Sequence, residues 1–197
     1  MRAYKGFTKD LTARLGSGIY QFEAGKTYRE DSSKTARKGF HCCENPFECL
    51  SYYSLNGENR FFIVEAAGSI DEDDAERISC TELTLIKELT PLEFALEGMK
   101  YMIEHPKREK WKQNRNSVQV AEDWVEAKTA GDIAIARGES PRVKGPAGSI
   151  LGLIRETESF GIVDAKLFVQ EEQYEGKWVK IGPGRKIVEV QDEEEND

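Results

Sequence analysis

Hydrophobic and polar positions alternate in short runs along the first third of the chain. The segments AYKGF and IYQFEAGKTY place apolar and polar residues in turn, which is the pattern of half-buried strands. RFFIVEAAG indicates a buried strand that ends at a glycine, and ISCTELTLI is a further β-rich stretch. With the two helices described next, these strands predict a small mixed α+β unit over residues 1–105.

Two helix starts carry the same signal. Asn45 and Thr90 suit the N-cap position, and each is followed directly by a proline and three residues later by a glutamate. The first signal predicts a short helix over residues 46–53, entered from the strand GFHCC. The second predicts a helix that Pro106 ends. We expect this second helix to bury one apolar stripe made of Leu92, Ala95, Leu96, Met99, Met102 and Ile103.

The pattern changes after a basic connector at residues 106–116. From Ser117 onward, short β-prone units are separated by Gly, Ala and Ser. Small residues let successive layers of strands approach closely, as in a short β-roll or solenoid, although an ordinary meander also fits. We therefore predict a β-rich unit at residues 117–190, followed by an acidic, disordered tail at residues 191–197.

Composition narrows the class of protein. Hydrophobic residues make up 39% of the 197 residues and charged residues 32%, which is typical of a globular chain with a modest core. No apolar run approaches the ~18 residues that a membrane span needs, and the start MRAYKGFTKD lacks the apolar stretch of a secretory signal. The four cysteines have no framework-like spacing. We therefore expect a cytoplasmic location with reduced thiols.

The net charge of −8 is concentrated near the end of the chain. Residues 1–116 carry 18 Lys and Arg against 19 Asp and Glu, whereas residues 117–197 carry 10 against 17. The final EVQDEEEND holds six of those acidic residues. This distribution weakens the idea that the folded part imitates a nucleic acid.

The segment KGFHCCENPFECLSYY combines a histidine with three cysteines. A metal site would need converging donors, and an extended strand puts His41 and Cys43 on one face and Cys42 on the other. A nucleophilic site could pair Cys43 with His41 just before the predicted helix, but Glu44 and Glu48 would oppose a thiolate. Buried packing also explains the cluster, because free cysteine is among the most buried residue types. The pattern favours packing, and we predict no metal.

Several segments resemble an uncharacterised protein family of phages and their bacterial hosts. They are AYKGF, GKTY, GFHCCENP and the SYY that follows, with Gly39, Phe40, His41, Cys43 and Pro46 as the most specific part. Many members then carry Ala/Gly-rich segments like AGDIAIARGESPRVKG before a β-rich end. The resemblance covers most of the chain in outline. It implies a phage or prophage context, in the host cytoplasm, but no chemistry.

The order of elements in the first half also looks like that of NAD-using ADP-ribosyltransferases. The analogy implies Tyr4, Lys5 and His41 as cofactor-binding candidates, and Glu65 as a candidate catalytic acid beside His41 and Cys43. The Ser-Thr-Ser and Glu-x-Glu patterns of those enzymes are missing here, so the analogy concerns the fold alone. A nucleotide-binding enzyme of this kind is therefore the alternative function, and no cofactor is predicted.

A basic patch offers a candidate contact with nucleic acid. Its residues are Lys107, Arg108, Lys110, Trp111 and Lys112. Lysines could hold a phosphate backbone while a tryptophan stacks on a base. Because the chain has no second basic patch, a solvated connector explains the segment better.

The function that these observations favour is a non-enzymatic binding or interaction protein of phage type. No complete catalytic constellation is visible in the sequence. The stacked strands expected in the second half would leave sheet edges that favour assembly. We therefore expect the partner to be another protein or a second copy of the chain, with no membrane and no nucleic acid involved.

Overall fold

A computed structural model describes residues 1–15, 18–35, 37–72, 77–106, 112–115 and 117–190. The chain separates into two compact units, of which Met1–Phe94 forms the first and the second begins at Ala95. The boundary falls inside helix α1, Pro91–Glu104. The predicted acidic tail at residues 191–197 and most of the predicted connector lie outside the described residues.

The first unit is a β-sheet that closes on itself. Its strands pair in the order β4-β7-β5-β1-β6, and β6 also pairs with β7, so the two ends of the sheet meet. A separate hairpin of β2 and β3 accompanies this closed sheet. The bounds are β1 Arg2–Thr8, β2 Thr12–Leu15, β3 Gly18–Gln21, β4 Thr27–Arg29, β5 Phe40–Cys43, β6 Asn59–Glu72 and β7 Arg77–Leu89.

The interior of this sheet is filled by every second residue of its strands. On β1, Ala3 and Phe7 are fully buried, and on β6 the same holds for Val64 and Ala66. Successive side chains of a strand point to opposite faces, so residues two apart share a face. Phe7 also meets the ring of Phe62 edge to face at 5.5 Å. This apolar interior fixes which residues of β1 and β5 face inward.

The segment after β5 follows the predicted capping. The side chain of Asn45 accepts a hydrogen bond from the backbone N–H of Phe47 at 3.0 Å, and Pro46 is the first helical residue. The helix is a 3-10 helix, Pro46–Ser51, which buries Pro46, Phe47, Cys49 and Leu50. Asn45 is therefore the N-cap that the sequence predicted.

The prediction of an α+β fold was wrong. The protein is mostly β-structure, and within the described residues α1 is the one α-helix. The short predicted helix is 3-10 helix, and β6 and β7 are 14 and 13 residues long. The sequence pattern had indicated only their apolar centres. Polar residues at the ends of a strand hide its length, because backbone pairing does not require apolar side chains.

Helix α1 begins as predicted, but its buried face matches the predicted apolar stripe only in part. Thr90 and Glu93 form a capping box, in which the backbone N–H of Thr90 donates to Glu93 at 2.9 Å and that of Glu93 donates to Thr90 at 3.2 Å. Ala95, Met99 and Met102 are buried, as expected.

Two leucines of the predicted stripe are outside the buried face. Leu92 and Leu96 are each 41% exposed, whereas Phe94 is fully buried. The ring of Phe94 packs against those of Phe61 and Phe47 at 4.5 and 5.5 Å. The aromatic contact turns the buried face away from the leucines, so this part of the stripe prediction was wrong.

The second unit contains three strands stacked in parallel with short connections. β9 pairs with β10 and β10 with β11, so that Ile133 lies opposite both Val118 and Ile150. Gly152 lies close to Ile135, and a Cβ there would be 2.8 Å from it. The bounds are β8 Gln113–Arg115, β9 Val118–Glu126, β10 Ile133–Lys144, β11 Ile150–Glu156, β12 Ile162–Val169, β13 Val179–Ile181 and β14 Ile187–Glu189. β13 and β14 pair antiparallel as a hairpin.

A buried ion pair joins two of the stacked strands. Arg137 on β10 is fully buried and donates two hydrogen bonds to Glu156 on β11, at 3.0 and 2.6 Å. It also donates to the carbonyl oxygen of Pro106 at 2.9 Å. Removing one partner of such a pair would leave an uncompensated buried charge, at a cost of about 3–5 kcal/mol.

None of the described helices is both long and apolar enough to cross a membrane.

Candidate functional site

A pocket of about 760 Å³ lies in the first unit. It sits where β1 and β5 pair, because Tyr4 lies opposite Cys43 in that ladder and both line the pocket. β2 and the 3-10 helix supply further parts of the wall. The volume is within the range of small-molecule sites, about 300–1,000 Å³.

A row of side chains crosses three strands at the edge of this pocket. Cys43 on β5 lies opposite Tyr4 on β1 and opposite Arg77 on β7. Residues directly opposite each other in paired strands share a face of the sheet. His41, two residues before Cys43, lies on that face as well. Cys42 lies in the interior cluster, so the predicted separation of His41 and Cys43 from Cys42 is confirmed.

The charge of the pocket wall is positive. Lys5, Arg14, Arg37 and Arg77 all line it, together with His41. Within the described part of the chain, no Asp or Glu is among the lining residues. A concave wall with cations and without carboxylates concentrates the potential that attracts an anion.

Lys5 is the most buried of these cations. It is 8% exposed and donates a hydrogen bond of 2.6 Å to the carbonyl oxygen of His41. Its Nζ atom lies 5.4 Å from the ring centroid of Phe7 and 6.0 Å from that of Phe22. Burial lowers the pKa of Lys5, and the nearby thiols offset only part of that effect.

The four cysteines form two neighbouring pairs, Cys42 with Cys80 and Cys49 with Cys43, and all but Cys80 line the pocket. All four thiols are free and buried. The hydrogen bond to Cys80, with burial, raises the pKa of Cys42, and the bond to Cys43, with burial, raises that of Cys49. These two thiols therefore stay protonated and are poor nucleophiles.

His41 is half-buried, with one ring nitrogen that lacks a partner. Within the described residues, its Nε2 atom is buried and makes no hydrogen bond. Burial lowers the pKa of His41, and the charge of Lys5 lowers it further, while a hydrogen bond with the backbone of Lys34 acts in the opposite direction. The neutral imidazole is thus favoured, and it can accept or donate a proton at the pocket wall.

Tyrosines supply the flat apolar surface of the pocket. Tyr4, Tyr52 and Tyr53 line it. Tyr53 packs over Gly6, where a Cβ would lie only 2.5 Å from the tyrosine ring. Burial raises the pKa of Tyr53, so its hydroxyl remains protonated. Aromatic faces of this kind stack on planar rings.

The remaining candidates lie apart from the pocket or outside the described residues. Glu65 is exposed on β6 and does not line the pocket. Lys112 forms an ion pair of 2.8 Å with Glu122, whereas Lys107, Arg108, Lys110 and Trp111 lie outside the described residues. Within the described part of the chain, no three His, Cys, Asp or Glu side chains group so that they could hold a metal ion.

The comparisons concern this same part of the chain. Residues 1–97 match the family described as Domain of unknown function (DUF7666). The match covers the part that contains the closed sheet and the pocket, and there the chain is similar to an uncharacterised domain family. Neither a curated protein nor a solved structure matches the chain.

Sequence reasoning missed most of the cations of the site. Arg14, Arg37 and Arg77 lie in stretches whose local pattern indicates polar connections or a strand end. Only the folded chain brings them to one wall, and for Arg77 this happens through its register with Cys43 across paired strands. No local signal in the sequence marks these three arginines as partners.

Proposed function

We propose that the DUF7666 domain is a binding module for a small phosphorylated ligand that carries a planar ring, such as a nucleotide. The observation that carries this proposal is the pocket wall, which combines three arginines and Lys5 with tyrosines and, among the described residues, has no carboxylate. Arginine and lysine are the usual partners of phosphate groups. The tyrosines would hold the ring.

The proposal places ligand recognition in this pocket and assigns no ADP-ribosyl transfer to it. Glu65, the acid that the ADP-ribosyltransferase analogy requires, does not line it. We further propose that the module works in a reducing cytoplasm, where its four thiols stay free, and in the phage or prophage context that the motif resemblance implies. Association with a protein partner or a second copy remains a separate prediction.

Thermal unfolding in the presence of ligands tests the proposal. A ligand that binds the folded state alone stabilises it, by about 2.7 kcal/mol at a concentration of 100 times Kd. We expect ADP to raise the melting temperature of the protein more than adenosine does, because adenosine has the ring but lacks the phosphates.

Variants locate the effect in the pocket. Changing Arg14→Gln and Arg37→Gln together should remove the difference between ADP and adenosine. Arg29→Gln is the matched control, because Arg29 is an exposed arginine of the same unit that does not line the pocket. Equal shifts for ADP and adenosine, or an ADP shift that survives the double substitution, would contradict the proposal.

A further inference from the structure

Lys5 occupies a position of β1 that faces the apolar interior. It lies between Ala3 and Phe7, which are both fully buried members of the core, and residues two apart on a strand share a face. Its Nζ atom donates to the carbonyl oxygen of His41 and lies 5.4 Å from the ring centroid of Phe7, and the residue is among those that line the pocket. A methionine or leucine would fill the same interior space without a charge to bury.

The hydrogen bonds of the amine fit its neutral form. An ammonium has three N–H donors, and Lys5 makes one hydrogen bond, to the carbonyl oxygen of His41. Among the described residues, no carboxylate forms an ion pair with it, although burying an unpaired ammonium is expensive. A neutral amine needs fewer acceptors and keeps a lone pair. The lowered pKa of Lys5 agrees with this state.

A neutral amine beside a cationic pocket is suited to one kind of chemistry. Lysines that are desolvated in apolar surroundings act as nucleophiles toward carbonyl groups and form Schiff bases. Arg14, Arg37 and Arg77 on the same wall would hold the anionic end of such a ligand. The arrangement thus selects a ligand that has both a phosphate and an aldehyde.

We propose that the amine of Lys5 captures a phosphorylated aldehyde in this pocket as an imine. The inference rests on the proposed function, because the same arginines hold the phosphate. The nitrogen lone pair attacks the aldehyde carbon and gives a carbinolamine. One amine proton moves to the carbonyl oxygen in this step. The hydroxyl group then leaves together with the second amine proton as one molecule of water, and a carbon–nitrogen double bond to Lys5 remains. No oxidant or reductant is needed.

His41 is placed to move a proton in this step. Its Nε2 atom is buried, lacks a hydrogen-bond partner among the described residues, and belongs to a side chain of the same pocket wall. Imidazole can donate a proton to the departing hydroxyl group and recover one from the amine. The Lys5 amine lies 2.6 Å from the carbonyl oxygen of His41, and on this basis the proposal includes His41 as the proton-transfer residue.

The experiment uses pyridoxal 5′-phosphate as the probe, with borohydride reduction and peptide mass spectrometry of the full-length protein. Reduction converts the imine into a stable secondary amine. We expect several-fold more label on Lys5 than on exposed Lys9, whose side chain is 67% exposed. Pyridoxal, which lacks the phosphate, should lose this preference. Label spread over exposed lysines with Lys5 unmodified would overturn the inference.

Two further measurements keep the test decisive. Lys5→Met should abolish the site-specific label while Lys9→Met preserves it. If Lys5→Met does not fold, competitive acetylation of the wild-type protein over a range of pH replaces it. Lys5 should reach half of its maximal labelling at a lower pH than Lys9. Half-maximal labelling of both lysines at the same pH would overturn the inference. Arginine-dependent ADP binding without label on Lys5 would refute the imine alone, whereas loss of both would refute the proposed function as well.

Discussion

Gly6 shows how a single residue shapes the pocket. It follows Lys5 on β1 and lies beneath the ring of Tyr53, with room for a hydrogen atom and none for a methyl group, since a Cβ would be 2.5 Å from the ring. Glycine is needed here for close approach, as no unusual backbone angle is involved. The position of one tyrosine at the pocket wall thus depends on an absent side chain.

We predict that Gly6→Ala displaces Tyr53 and weakens ligand binding. Overpacking of this kind costs typically about 1–3 kcal/mol of stability, and the ADP-dependent rise in melting temperature should shrink together with it. Calorimetry of the free and ADP-saturated protein measures both effects. Gly161→Ala is the control, because the nearest atom to its added Cβ is the hydroxyl oxygen of Thr157 at 3.1 Å, outside the first unit. Unchanged binding in Gly6→Ala would contradict this role of Tyr53.

The positions of some site residues could be predicted from the sequence. Strand period correctly placed His41 and Cys43 on one face and Cys42 on the other. The fold analogy drew attention to Tyr4, Lys5 and His41, which all line the pocket. The interior position of the Lys5 amine was not predictable, because a lysine in a strand is normally exposed.

At the scale of elements, the capping box of helix α1 was read correctly from Thr90 and Glu93. Hydrogen bonds from Lys87 and Thr90 lower the pKa of Glu93 from 4.5 to about 2. A carboxylate whose pKa is lowered in the folded state contributes stability above its unfolded pKa, and this is lost as pH falls through the folded value. The contribution is therefore complete above pH 4.5 and disappears toward pH 2.

We predict that Glu93→Gln lowers the free energy of unfolding at neutral pH, and that the difference from wild type vanishes as pH falls toward about 2. Chemical denaturation at a series of pH values measures this difference. Glu104→Gln, at the last residue of the same helix, is the control and should show little change. A difference that stays constant with pH would mean that the Glu93 charge plays no part in the cap.

The length of elements was less predictable than their existence. The apolar centres of β6 and β7 were recognised, but their pairing extends to Glu72 at one end and begins at Arg77 at the other. These ends are held by backbone hydrogen bonds across the closed sheet, for example between Glu72 and Ile78 in register. The sequence of one strand does not reveal which distant strand pairs with its ends. For this reason the β-rich fold was mistaken for α+β.

At the scale of the whole molecule, the site is a local exception to the overall charge. The chain carries a net charge of −8, yet the pocket wall is cationic. Its arginines come from residues 14, 37 and 77, which are far apart in sequence and meet only in the folded first unit. Electrostatic attraction between exposed charges is screened by salt over about 8 Å at physiological ionic strength. Binding of a phosphorylated ligand should therefore weaken as salt is added.

Isothermal titration of the full-length protein with ADP, at low and high salt, measures whether the pocket binds a phosphorylated ligand. We expect ADP to bind one site per chain, with an affinity that falls as salt is added. Binding should be lost in the Arg14→Gln and Arg37→Gln double variant and should persist in Arg29→Gln. Absence of measurable heat at low salt, or equal affinity in the double variant and in Arg29→Gln, would contradict the claim that this pocket binds phosphorylated ligands.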